Sequence, residues 1–333
     1  VPGWAIALSI FATLVSSISF LALPAKAYLT NWNCYVLTLT IPIAALIAAV
    51  WFVPFYRKSK YISAYTFLED RFGPWARMYT SACFLIMQSA RSGVILFLLA
   101  LTLQSALGFP CLAIIVVTGI LTMLYSMMGG FRAVIWADAI QALILIGGTI
   151  GVIISLYANI PGGFVNGVQE AYESGKLSLG SFSLTDWSTE TFWVCFVYGI
   201  FINLQNFGID QSFTQRYIAA KDLKSARKSA FHGAMLYVPV TLLFVIIGTG
   251  LWIFTETHPG MVPADVSAVS DAVYPWYIVN CLPKGMSGLL IAAIIAAAMS
   301  TIAATLNSGS AVLLEDWYKK FWPECSNPKS DIK

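Results

Sequence analysis

Arg91 stands in FLIMQSARSGVILFLLA, residues 84–100, a run otherwise built from side chains that a bilayer accepts. A guanidinium at the bilayer centre costs about 2.5–3.5 kcal/mol on insertion scales. It therefore needs a partner, either an ion pair or carbonyl inside a bundle or an anion reached through a water-filled cavity. Ser300 and Thr301 place adjacent hydroxyls in the equally apolar IAAIIAAAMSTIAATLNS. A hard monovalent cation takes neutral oxygens, and hydroxyls of one helix with carbonyls freed from a broken one can provide them. Asp138, in VIWADAIQALILIGG, is a third chemical group in such a setting. It suits the start of a helix through the dipole; the alternative is a cation relay, or a pair with Arg132 or another buried group.

The elements that must position these residues carry signs of interruption. The first apolar stretch has Thr13, Ser16, Ser17 and Ser19 at mid-depth. The sixth has Gly199, Asn203, Gln205, Asn206 and Gly208, then Asp210. Asn, Gly and Asp are poor helix formers, so a broken helix is expected in both. Interrupted helices at corresponding positions of two halves point to a secondary transporter with inverted repeats. The other reading is that small and hydroxyl residues let helices pack closely.

Composition sets the class. The chain has 333 residues, of which 58% are hydrophobic and 11% charged, whereas a soluble domain carries about 25% charged residues. This is an integral membrane protein. Eight apolar stretches are long enough to span: 4–28, 34–56, 79–107, 110–128, 134–158, 190–211, 232–254 and 285–318. No alternating strand pattern competes, so the spans form an all-α bundle and not a barrel. A net charge of +3 gives no case for nucleic acid. The six cysteines form no CxxC, and the two histidines are too few for a histidine metal site. No Ser/His/Asp constellation or phosphate loop appears, so the chain does not read as an enzyme.

Lysines and arginines sort by side. Loops 57–78, 129–133 and 212–231 and the tail hold fifteen of the 19 basic residues; the other side holds Lys26, Lys176 and Lys284. By the positive-inside rule the basic side is cytoplasmic. The third span then enters near Tyr79, and 1.5 Å per residue puts Arg91 about 18 Å along, near the midplane.

YSMMGGFRAVIWADAIQ, NLQNFGIDQSFTQRYIAAKD and LLIAAIIAAAMSTIAATLNS, with TFLEDRFG in the first basic loop, resemble the sodium:solute symporter family from near Val1 to about Tyr318. The resemblance implies a LeuT-type bundle of two inverted five-helix repeats. This chain would supply a truncated form with about eight transmembrane helices. Residues 1–318 would make a single transmembrane domain, with the first repeat at 1–158, three helices of the second at 190–318, and a cytoplasmic tail at 319–333. A leading helix and two final core helices would lie outside it, and these residues alone are expected not to transport. The family's sodium site carries over to the carbonyls of Ala12, Val15 and Ala297 and the hydroxyls of Ser300 and Thr301. A second sodium found near Asp138 in some members would lose two ligands at Ala303 and Ala304, so one sodium is expected.

In this family Arg91 is similar to the arginine that grips the substrate carboxylate in bacterial sialic acid transporters, a job suited to a guanidinium fork. Ser16 and Ser19 would line that pocket, with Asn203, Asn206 and Phe207 bordering it, while Leu14, Cys34 and Thr38 depart from the pattern. The implied function is a sodium-coupled symporter in the cell membrane, importing a small organic anion by alternating access. An acidic sugar such as sialic acid or a monocarboxylate would serve as substrate. Na+, the anion and the bilayer are the implied partners. A neutral sugar is the alternative substrate. A sensor domain of a signalling protein is the alternative function.

Overall fold

A chain segment in lipid must satisfy its own backbone N–H and C=O groups, which leaves the helix as the element for apolar stretches such as these. The computed structural model describes residues 1–59 and 61–322, and among these no strand occurs. Lys60, residues 323–333 and the side chains of Ser17, Ile18, Ser105 and Ala106 lie outside the description, so most of the expected tail, Lys329 and Lys333 included, does too.

The first span is two helices, α1 (Gly3–Leu14) and α2 (Ser17–Leu29), meeting at a 52° bend. The break falls at Val15 and Ser16, inside the expected hydroxyl cluster. Both residues are extended, and Ser16 Oγ caps α2 by accepting from the Ser19 amide at 3.3 Å. Next come α3 (Trp32–Ser59), the short α4 (Thr66–Phe72) and α5 (Pro74–Leu107). Then α6 (Cys111–Ala158) runs for 48 residues. At 1.5 Å per residue that is about 72 Å, far beyond a hydrocarbon core of about 30 Å. Gly130 breaks it (φ 59°, ψ −172°), a conformation that glycine adopts at no steric cost. The two halves are the expected fourth and fifth spans.

The second half of the chain holds α7 (Gly163–Glu173), α8 (Phe192–Ile209), α9 (Gln211–Ala219), α10 (Leu223–Thr257), α11 (Ala264–Ser267), α12 (Ser270–Asn280) and α13 (Lys284–Phe321). With the bent pair as one crossing and α6 as two, the helices account for eight spans. Two expectations shift. The sixth span does not break within its Gly/Asn cluster. Instead α8 runs through it, and the interruption comes at Asp210, extended at φ −74° and ψ 122°. Packing overrides propensity here: the Asn203 amide donates to Leu37 O at 3.1 Å and Thr40 Oγ1 at 3.0 Å, and Gly199 lets α3 come close. The segments 159–189 and 255–284, which join the expected spans, also contain helices, and α12 packs Tyr274, Tyr277 and Ile278 against the core.

Two ends are distinguishable. At one, Arg57 donates to Ile218 O and Ala220 O, both at 2.8 Å, and Arg77 pairs with Glu69 and with buried Asp316 at 2.6 Å each. Ser63 also donates to Asp316, at 2.8 Å. The expected basic loops therefore do gather on one side of the bundle. There the Lys320 ammonium and the Arg77 guanidinium hold the Glu69 carboxyl below its ordinary range. At the other end Lys26 pairs with Glu190 at 2.7 Å in the open, and Lys176 donates to Tyr28 O at 2.7 Å while lying over the Trp252 ring. Between the ends, α10 supports both halves of the first span. A Cβ on Gly233 would strike Ala7 O and one on Gly248 would strike Pro24 O, so both positions require glycine.

Candidate functional site

Ending α1 at Leu14 leaves the carbonyls of its last turn without the amides that a continuing helix would supply. Starting α2 at Ser17 places the positive end of a second dipole beside them. One break thus sets free carbonyl oxygens, suited to a cation, next to a helix start, suited to an anion.

Across from the carbonyls lies α13. Thr301 Oγ1 is 3.5 Å from Val15 O and 3.0 Å from Ala297 O, and the residue is 1% exposed. Ala12 is buried in the same apolar cluster as Val15 and Ala297. Ser300 donates its hydroxyl proton to Asp138 Oδ1 at 2.6 Å. With the proton so held, its lone pairs turn away from the carboxylate and are available as ligands. The structure therefore brings Val15, Ala297 and Thr301 into direct contact and sets Ser300 beside them. These neutral oxygens fit a sodium ion, while Ala303 and Ala304, also buried, present no side-chain oxygen.

Asp138 is fully buried, in the middle of a network and not at a helix start. Its Oδ2 accepts from Ser9 at 2.6 Å and from Arg216 Nη2 at 2.8 Å. Arg216 also donates to Ser9 Oγ at 2.8 Å and to Ser212 O at 2.6 Å, and its guanidinium lies 5.6 Å from the Phe131 ring centre. Arg132, the first partner expected for Asp138, is exposed instead. Arg216 was assigned to a basic loop by the charge pattern. Its actual place is on α9 with no exposure, which corrects that assignment. The signal that marks it is Phe213 and Tyr217 at helical spacing around it, both buried, a pattern of a core-facing helix and not of a loop.

Arg91 is the eighteenth of the 34 residues of α5 and is half-buried. Among the described residues its guanidinium makes no hydrogen bond or ion pair. Nearby on α10 is Tyr237, whose hydroxyl faces Ser19 and Thr241 and lies within electrostatic reach of Arg91 and Cys34. Thr241 Oγ1 is buried with no hydrogen-bond partner of good geometry. Tyr237 and Thr241 border this candidate site and were not singled out in the sequence, because they sit in an unremarkable apolar run. For Asn203, Asn206 and Phe207, the main contacts of α8 run to α3 and α9. Asn203 is engaged with α3, Phe207 is fully buried with its ring 5.2 Å from Phe213, and Asn206 is half-buried.

The profile of the sodium:solute symporter family matches residues 1–332. The sodium/sialic acid symporter SiaT of Proteus mirabilis is 33% identical over all of this chain and 67% of its own length. NanT of Aliivibrio fischeri, another sodium/sialic acid symporter, is 32% identical over 65% of its length. Human sodium-coupled monocarboxylate transporter 1 is 28% identical, and this chain spans 53% of it. A solved substrate-bound, outward-open structure of a Na+-coupled sialic acid symporter superposes with a TM-score of 0.96 at 32% identity, covering all of this chain and 70% of that one. The nucleobase-cation-symport-1 transporter Mhp1, at 13% identity and a TM-score of 0.65, shares the fold alone. This multi-pass membrane chain has the LeuT-type helix arrangement and belongs to the sodium:solute symporter family, whose members are sodium-coupled transporters and not enzymes.

Proposed function

We propose that the chain forms the core of a sodium-coupled symporter for a small organic anion bearing a carboxylate, an acidic sugar or a monocarboxylate. The observation that carries this reading is the break at Val15–Ser16. It faces the Thr301 hydroxyl on its carbonyl side, and on its amide side Ser19 shares the neighbourhood of Tyr237 with the unpaired Arg91. Sodium takes the oxygens of Ala12, Val15, Ala297, Ser300 and Thr301. The substrate carboxylate takes Arg91, with Ser16, Ser19 and the Tyr237 hydroxyl around it. The names of the relatives support the class: two are sialic acid symporters and one a monocarboxylate transporter.

Asp138 acts through Ser300, by holding its proton. Cation binding pulls α13 toward the end of α1, and the resulting order at Ser16–Ser19 completes the anion pocket, which couples the two ligands. The bundles then rock about the site. Residues 1–158 and 190–318 form parts of two repeats in this reading, each opening on an interrupted span. One sodium with a monoanion moves no net charge, so the membrane potential, worth about 2.3 kcal/mol per charge per 100 mV, adds nothing.

Binding to the full chain in nanodiscs tests the proposal: a panel of acidic sugars, monocarboxylates and neutral sugars, with and without sodium, on wild type and Arg91→Ala. Sodium-dependent binding of a carboxylate that Arg91→Ala abolishes is the expected result. Equal binding by Arg91→Ala refutes the anchor, and sodium-independent binding refutes the coupling.

A further inference from the structure

Below the candidate sodium site, α13 carries hydroxyls at one-turn spacing: Thr301, Thr305 and Ser308. Seven residues at 1.5 Å put Ser308 about 10 Å beyond Thr301, toward the basic end. There three helices meet. Ser308 Oγ is 3.0 Å from Ser212 Oγ of α9, and the side-chain nitrogen of Gln88 on α5 lies 3.1 Å from Ser212 Oγ and 3.3 Å from Ser308 Oγ. All three side chains are almost fully buried, at 2% exposure or less. Gln88 Oε1 is buried too and has no hydrogen-bond partner, which leaves a desolvated acceptor uncompensated.

The terminal amide torsion is two-fold. A half-turn carries Oε1 to the nitrogen's position, against both hydroxyls. Three neutral oxygens then converge, and Thr305 O, which accepts from Ser308 at 3.2 Å, is a fourth. Local charge permits a cation there. Arg216 donates to Ser212 O, but Asp138 already pairs with it. Asp210, two residues before Ser212, is 6% exposed and caps the Ser212 amide at 2.7 Å. Among the described residues it forms no ion pair.

We infer that Gln88, Ser212 and Ser308 form a transit station for a monovalent cation, on the path from the Ser300–Thr301 site to the basic end of the bundle. The inference rests on the proposed sodium site, and the hydroxyl of Thr305, which contacts Ser92 at 2.7 Å, lies between the two positions. The station uses weak neutral ligands, so it fills in passing and does not retain the ion.

The test is binding and release of 22Na+ by the purified full chain, comparing wild type with Thr301→Ala, Ser308→Ala and Gln88→Glu. Ser308→Ala should keep its equilibrium sodium affinity within about twofold but release sodium about tenfold more slowly, an increase of about 1.4 kcal/mol in barrier. Gln88→Glu adds a carboxylate of the same shape and should raise bound sodium from about one to about two ions per chain. Wild-type release by Ser308→Ala with unchanged stoichiometry in Gln88→Glu would leave the cluster as helix packing and overturn this inference alone. Loss of equilibrium affinity in Ser308→Ala, equal to that in Thr301→Ala, would also overturn it by merging the two sites. Wild-type protein that binds no sodium overturns the proposed function and this inference together.

Discussion

Arg216 and Arg91 are both guanidinium groups carried into the helix bundle, and the bundle completes only one of them. Arg216 has no exposure and reaches a carboxylate, a hydroxyl and a carbonyl. Arg91 stays half-buried and reaches none of these among the described residues. Desolvating a charge is costly unless it is paired, so a fully paired arginine belongs to the architecture, whereas the unpaired Arg91 is the one that the proposed function gives to a ligand. The two should respond to substitution in opposite ways.

The largest effect belongs to Arg216→Met. It strands Asp138 as an uncompensated buried charge and should cost about 3–5 kcal/mol of stability. Thermal unfolding of the purified protein measures this, and addition of Asp138→Asn should restore at least half of the loss. Wild-type stability in the single variant would remove the distinction between the two arginines. Arg91→Ala should lower carboxylate affinity by about 1.5–3 kcal/mol, the scale of a hydrogen bond to a charged group. Its unfolding should stay within about 0.5 kcal/mol of wild type; calorimetric titration and unfolding together check the pair. Thr301→Ala should weaken sodium binding about tenfold, near 1.4 kcal/mol, measured by 22Na+ binding.

The smallest effect concerns Glu69, a partly exposed carboxylate. Lys320 and Arg77 depress its pKa, so its stabilising contribution is present above the ordinary carboxylate value near 4.3. That contribution is lost as pH falls through the lower folded value. Glu69→Gln should cost less than about 1 kcal/mol at neutral pH, and unfolding profiles of variant and wild type should converge in acid. A constant difference across that range would show that Glu69 acts by packing instead.

Much of the architecture was legible because lipid leaves few choices. Apolar runs of sufficient length had to be helices, and the hydroxyl cluster at Thr13–Ser19 marked the first break. The sixth span was misplaced for a physical reason: Asn203 and Gly199 look like helix breakers locally but serve contacts with α3, which no local pattern displays. Ser300 and Thr301 stood out by their chemistry, adjacent hydroxyls in an alanine-rich apolar run. Arg216 was hidden because a basic residue near other basic residues counts equally toward topology whether it lies in water or in a core. The Gly129–Gly130 pair marked the turn between the fourth and fifth spans, whereas the closeness of Tyr237 to Ser19 depends on tertiary placement, so sequence carries no trace of it.

The break between α1 and α2 has a consequence for biogenesis. This span emerges in synthesis before α10, whose two glycines cradle its halves and which follows only after five further crossings. Alone in hydrocarbon, the broken backbone would leave polar groups unmet at several kcal/mol each. Insertion and maturation are therefore separate events for this segment. It must wait in a wet or chaperoned setting until its later partner arrives, and any lesion that delays α10 leaves the α1–α2 break, far upstream of the lesion, as the exposed fault.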